Sequence, residues 1–117
     1  MKYRHYAPRA DLSIVEGSEE DVIAMINRLT EEAEAKGEKV GISATDETER
    51  LDVGGDVRSI VIREEEETIA HHLYEVLRDF DSDDVNVIYS EAFYTPRMGQ
   101  AIMNRLLKAA GHKIIKA

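Results

Sequence analysis

The chain has 117 residues, the size of one domain, since domains run roughly 100–200 residues. It has no cysteine, which excludes a disulfide scaffold and every thiolate metal site and agrees with a reducing cytoplasm; no run of about 18 apolar residues is present to cross a membrane, and the first residues hold no apolar signal-peptide core. The formal charge is −9 and unevenly placed: residues 1–10 carry three cations and 97–117 carry five, both without an acid, while 11–96 hold all 24 acids against seven bases. An acidic body repels nucleic acid at long range, and the two basic ends read as solvated, the alternative being that they converge on a local anion site.

Residues 1–8, MKYRHYAP, set two tyrosines and a histidine among cations, and Pro8 pushes Ala7 toward an extended conformation. Wet aromatic rings are costly, so residues 1–10 read as an arm with something to lie against. Asp11–Gly17, DLSIVEG, is a short strand. Ser18 caps a helix over 19–36, with Glu19, Glu20 and Asp21 at the positive end of its dipole. Val22, Ile26, Leu29 and Ala33 recur at helical spacing, and Gly37 stops the helix. Lys39–Ala44 is a strand, the polar stretch Thr45–Asp56 a loop, and Val57–Arg63 a β-branched strand. Glu64–Glu67 opens a second helix with an apolar stripe of Ile69, Leu73, Val76, Leu77 and Phe80, ended by Asp81–Asp84. Val85–Ser90 is a fourth strand. Thr95 and Pro96 open a last helix lined by Met98, Ile102, Leu106 and Ala109 and stopped at Gly111. The tail KIIKA is a candidate edge strand. Strand–helix alternation predicts an α/β domain: an open, mostly parallel sheet with helices placed on both faces by right-handed crossovers.

Few residues invite chemistry. A dinucleotide fingerprint needs closely spaced glycines between the first strand and its helix. Here Gly17 and Ser18 are followed by acids, where an anion would sit. Gly54 and Gly55 precede a strand, and there is no Walker lysine motif. Glu67, His71 and Glu75 share one helix face and read as a solvated face rather than a metal site; His72 reads as a half-buried packing residue. Tyr89, Phe93, Tyr94 and Arg97 follow the fourth strand, where ligands sit in open α/β sheets. Pro96 removes a donor there and Glu91 is close, so a loop packed over the sheet end is the reading. No catalytic residue and no metal ligand is assigned.

Three motifs, in order, resemble one family. KYRHYAP is similar to the interdomain linker of two-domain threonylcarbamoyl-AMP synthases. LYEVLRDFD at Leu73–Asp81 resembles the family's Leu-Tyr-x-x-Leu-Arg-x-x-Asp helix. GQAIMNRLLKAAG at Gly99–Gly111 resembles its C-terminal Ala-x-Met-Asn-Arg-Leu-x-Lys-Ala-Ala helix. The resemblance implies a linker arm over 1–10 and a Rossmann-like C-terminal accessory domain over 11–117. It also implies a YrdC-type catalytic domain earlier in the same polypeptide, Met1 matching a methionine inside the linker.

The resemblance further implies that the whole enzyme joins threonine, bicarbonate and ATP with release of pyrophosphate, in the cytoplasm. The threonylcarbamoyl group goes on to an adenosine beside the tRNA anticodon, and the resemblance implies for this domain a tRNA contact that is indirect or unknown. ATP and magnesium belong to the YrdC-type half; this domain is expected to need no cofactor and, as a nucleotidyltransferase fragment, to be inactive alone. In the family the linker crosses the mouth of the catalytic domain. Lys2, Tyr3, His5 and Tyr6 match its motif and are the residues implied to cover the nucleotide. Their chemistry suits that role, since a cation meets phosphate and tyrosine rings stack on a base or wall a pocket. The alternative is a free-standing α/β module that meets a protein through its acidic middle.

Overall fold

The computed structural model describes residues 8–45, 56–60, 66–92 and 99–117, with the backbone only at 45, 56–60, 66–70 and 99–102. The elements follow as β1 (Asp11–Glu16), α1 (Glu19–Ala35), β2 (Val40–Thr45), β3 (Asp56–Ile60), α2 (Glu66–Ser82), β4 (Val87–Glu91), α3 (Gly99–Ala109) and β5 (Ile114–Lys116). The strands form one sheet in the order β3-β2-β4-β1-β5, and every pairing is parallel. The α/β class, the parallel sheet and the helices on both faces therefore agree with the sequence reading. The readings that fall on 46–55, 61–65 and 93–98, including Phe93, Tyr94, the Thr95-Pro96 opening, Arg97 and Met98, lie outside the described residues.

The strand order dictates where the helices go. From β1 to β2 the chain moves past β4 toward one edge; from β3 to β4 and from β4 to β5 it moves toward the other. Right-handed crossovers then put α1 on one face and α2 and α3 on the opposite one. The two buried cores record this. Val22, Ile26 and Ala33 of α1 pack on Val15, Val40, Ile42, Ala44 and Val87. Leu73, Val76, Leu77 and Phe80 of α2 pack with Met103 and Leu106 of α3 on Leu12, Ile14 and Ile88. Neighbouring strand residues such as Ile14 and Val15 serve opposite cores, as the two-residue strand period requires.

Local chemistry sets the element ends. The Ser18 hydroxyl accepts the Asp21 N–H at 3.2 Å, as the capping pattern anticipates. At the other end of α1 the Gly37 N–H donates to Glu34 O at 2.9 Å and the Glu38 N–H to Ala33 O at 3.0 Å, satisfying carbonyls that the helix leaves open. The tail does form an edge strand. β5 runs beside β1, and the lysine before it and the lysine that ends it pair with acids of β1: Lys113 with Asp11, and Lys116 with Glu16 at 3.6 Å. β4 begins at Val87, two residues later than its apolar run suggests, because Val85 and Asn86 belong to the turn that closes α2.

Two packing contacts generate predictions. Gly41 of β2 lies under the fully buried Phe80 ring, and a Cβ at that position would stand 2.8 Å from ring carbons. Gly41→Ala is therefore expected to cost about 1–3 kcal/mol through overpacking. Urea unfolding should show a lower midpoint at unchanged slope. Tyr89 of β4 packs against the core under α1, and its pKa is raised by burial and then by the negative charges of Glu38 and Glu32. A phenol whose folded pKa lies above the unfolded value of 10.0 contributes stability that is complete below that pH and is lost as pH rises through the folded pKa. Tyr89→Phe should accordingly reduce the loss of stability between neutral and strongly alkaline pH. Urea midpoints of both proteins at each pH check this; equal losses would contradict it.

Candidate functional site at the root of the arm

α2 ends in acids, which is unfavourable at the negative end of a helix dipole. Its closing turn has no glycine. Asp84 takes the left-handed conformation instead, with φ 56°, which aspartate tolerates better than most residues. The Asp84 N–H donates to Asp81 O at 3.2 Å and the Val85 N–H to Phe80 O at 3.1 Å. Val85 and Phe80 also share the core on that face, the apolar contact that accompanies such turns.

Cations from elsewhere in the chain complete this helix end. The Lys39 ammonium, just before β2, donates to Asp83 O at 2.6 Å. Arg9, just before β1, binds Asp81 twice: its backbone N–H donates to Oδ1 at 3.0 Å, and its Nη2 donates to the main-chain O at 2.8 Å. The same Nη2 stands 4.0 Å from Asp84 Oδ1. Around these contacts the chain is fixed at successive positions. Pro8 is half-buried, Ala10 is buried in the core, and the Asp11 N–H donates to Asn86 O at 3.1 Å. Asn86 in turn accepts the Lys39 N–H on its Oδ1 at 2.8 Å and donates its own N–H to Lys39 O at 2.8 Å. The root of the arm thus leaves the domain over an open hollow of about 290 Å³ lined by Arg9, Ala10, Asp81, Asp84, Val85 and Asn86. The Arg9 and Asp84 side chains are 75% and 89% exposed, so their ion pair adds only about 0–1 kcal/mol; what the site supplies is position.

The other candidate positions separate. Lys2, Tyr3, His5 and Tyr6 lie outside the described residues. In the β1–α1 turn the Ser18 hydroxyl is engaged by Asp21, and Glu19 and Glu20 are exposed in the first helical turn. Gly17, at φ 149°, faces Ala117: a Cβ there would lie 3.3 Å from the alanine's own Cβ. The glycine that in a dinucleotide fold lets phosphate approach is covered here by the residue that follows β5. His71 Nε2 pairs with Glu75 Oε1 at 3.1 Å on a half-exposed face, and His72 is half-buried. Among the described residues no group of three metal-ligating side chains comes together. Tyr89 is in β4 and packs against the core under α1. Of the described cations at the basic ends, Arg9 goes to α2, Lys113 to Asp11 and Lys116 to Glu16 at the far end of β1. The pairing that sequence reasoning missed is Arg9 with Asp81, 72 residues apart and carried by no motif.

Comparison with known proteins bears on what this arrangement serves. Residues 1–111 match the family model described as threonylcarbamoyl-AMP synthase, C-terminal domain. The chain is 43% identical over 116 residues to the threonylcarbamoyl-AMP synthase of Bacillus subtilis (strain 168), covering 99% of this chain and 32% of that protein. It superposes on P. abyssi Sua5 complexed with L-threonine with a TM-score of 0.80 and 35% identity, over 98% of this chain and 32% of that one. The C-terminal Sua5 domain of a Pyrococcus horikoshii protein, solved by itself, aligns with a TM-score of 0.71 and 32% identity, over 95% of this chain and 100% of that one. The chain spans about a third of the length of the curated relative it matches. With the arm, the α2 motif and the α3 motif all inside the matched residues, this chain belongs to the family of threonylcarbamoyl-AMP synthase C-terminal domains.

Proposed function

We propose that this chain is a non-catalytic accessory domain that holds the linker over the nucleotide site of a YrdC-type domain in the same polypeptide. The observation that carries the reading is the fixed root: Arg9, which follows the family's linker motif in the sequence, is bonded twice to Asp81. The absence of a phosphate cradle at the β1–α1 turn supports a supporting role over a catalytic one. In this reading ATP and magnesium are bound by the other half, where threonine, bicarbonate and ATP are joined. Lys2, Tyr3, His5 and Tyr6 close that site against water, a lid function of the kind that controls access and commitment. The tRNA is met only indirectly, and the work is cytoplasmic. Among the described residues no helix is long and apolar enough to cross a membrane. Membership of the family favours this reading over a free-standing interaction module.

The purified chain alone is expected to show threonine- and bicarbonate-dependent ATP–pyrophosphate exchange no higher than a no-protein blank. Exchange above the blank would sink the accessory assignment. In the two-domain protein Tyr3→Ala or His5→Ala should lower turnover by about tenfold or more, since misplacing a group near the reacting atoms by about 1 Å can cost up to ~100-fold. The same substitutions should leave the stability of this domain within about 0.5 kcal/mol. Steady-state rates of the whole protein and thermal melts of the domain, measured as a pair, test this. A substitution that unfolds the domain yet spares turnover would show the arm to be structural.

A further inference from the structure

We propose that the seam between α2 and α3 holds a site for a small oxyanion of the phosphate class, at the carboxyl ends of β2 and β4. The site is independent of the lid reading. Its floor follows from the strand period. Ile42 and Ala44 pack under α1, so Ser43 between them faces the other side of the sheet, as does Gly41, which lies under Phe80 of α2. On β4, Ile88 packs with α2 and α3, and Ser90 two residues on shares that face. The two serines are partners in register, and both are fully buried. α2 lies over β3 and α3 over β1, so the seam between the helices runs above β2 and β4. Nearer the amino ends the Phe80 ring fills it over Gly41. One step toward the carboxyl ends the floor is two hydroxyls instead of hydrocarbon.

One of these hydroxyls is unspent. Ser90 Oγ donates to Glu91 O at 3.0 Å. Ser43 Oγ has no hydrogen-bond partner, although the residue is fully enclosed. A buried hydroxyl without a partner is costly, and where the protein supplies none the usual partner is a water or an ion.

The roof decides between the two. α3 begins at Gly99, after β4, and Ala110 just past its end packs with Ala10 and Val85 at the amino ends of the strands. The helix therefore runs back over the sheet, and its N-terminus stands at the same end of the seam as Ser43 and Ser90. The first N–H groups of a helix have no partner within it, and the dipole adds positive potential there. α1 opens on Glu19, Glu20 and Asp21, and α2 on Glu66 and Glu67, but α3 has no acid in its first turn. An oxyanion at this point accepts from the Ser43 hydroxyl below and from helix N–H groups above. Ligands of parallel sheets sit beyond the carboxyl ends of the strands. On the β1 side Ala117 covers that place; the β4 side carries the unspent donor.

The test uses the 117-residue chain, whose Pyrococcus horikoshii relative was solved by itself as a domain. Inorganic phosphate is titrated into wild type, Ser43→Ala and Ser90→Ala, and followed by thermal melts and amide NMR shifts. Without phosphate, Ser43→Ala should melt at or above the wild-type temperature, since it removes an unpaired buried hydroxyl. Phosphate about tenfold above its Kd should raise the wild-type Tm by about 4–8 °C and that of Ser43→Ala by less than half as much. The largest amide shifts should fall on Ser43, Ser90 and residues 99–103. A nucleoside monophosphate is the second titrant. Tighter binding than phosphate assigns the site to the phosphate of a larger molecule, weaker binding to the free anion, and both support it. Equal phosphate effects on wild type and Ser43→Ala are a general salt effect and overturn the proposal. So does the absence of any phosphate effect, in which case a water is the partner of Ser43. If Ser43→Ala fails to fold, Ser43→Cys keeps the shape with a much weaker donor and is read by the same criteria.

Discussion

The last carbonyl groups of a helix have no partner within it, and those of α2 are satisfied by its closing turn and by cations from two other parts of the chain. Phe80 O and Asp81 O are taken by the turn through Asp84 and Val85. Asp83 O takes the Lys39 ammonium and Asp81 O takes the Arg9 guanidinium. Lys39 opens β2, Arg9 precedes β1, and the residues after the turn open β4, so the start of each of these strands is referred to one helix terminus. The acids that make this terminus electrostatically poor are also what attract the cations. Inward, Phe80 presses on Gly41, which leaves no room for even a methyl group in that strand. The same few residues therefore tie the starts of β1, β2 and β4 to the end of α2.

The topology has the form that elsewhere binds nucleotides. β1 and β4 lie side by side, α1 leaves β1 toward one face, and α3 leads away from β4 on the other. Such a switch point opens a crevice at the carboxyl ends of the strands. In this chain the crevice is altered on the β1 side. Ala117 donates its N–H to Glu16 O at 2.8 Å and lies against Gly17, and the first turn of α1 bears three acids. Anion binding at a helix N-terminus relies on free N–H groups and a positive dipole end, and acids in the first turn already meet that field. Shared architecture does not by itself carry shared activity, as holds generally for folds that host many functions.

How much of this was legible in the sequence depends on the range of the interaction. α1 was legible at both ends because its signals are local: Ser18 three residues before Asp21, and Gly37 just past the last turn. The edge strand in KIIKA was visible from two β-branched residues between lysines, although its place beside β1 is a property of the sheet. The end of α2 was recognised as an acidic stretch, but its mechanism was hidden, since the left-handed residue is Asp84 and the usual glycine marker is missing. β4 was placed two residues early because Val85 is apolar for a different reason: it covers the helix end. The arm's aromatic and imidazole residues stood out by composition and motif. The contact of Arg9 with Asp81 did not, because both are ordinary charged residues far apart in sequence, and only the fold reveals that they meet.

The contacts at the root also show why stability and positioning should be weighed separately. An exposed pair such as Arg9 with Asp84 contributes about 0–1 kcal/mol, which is minor against a total of roughly 5–15 kcal/mol for a domain. What these contacts fix is geometry. Arg9 meets the Asp81 carboxylate through its backbone N–H and the Asp81 carbonyl through its guanidinium, so the chain entering β1 is held against the end of α2 at two separate atoms. Two such points define an orientation at little cost in free energy, because neither requires burial of a charge.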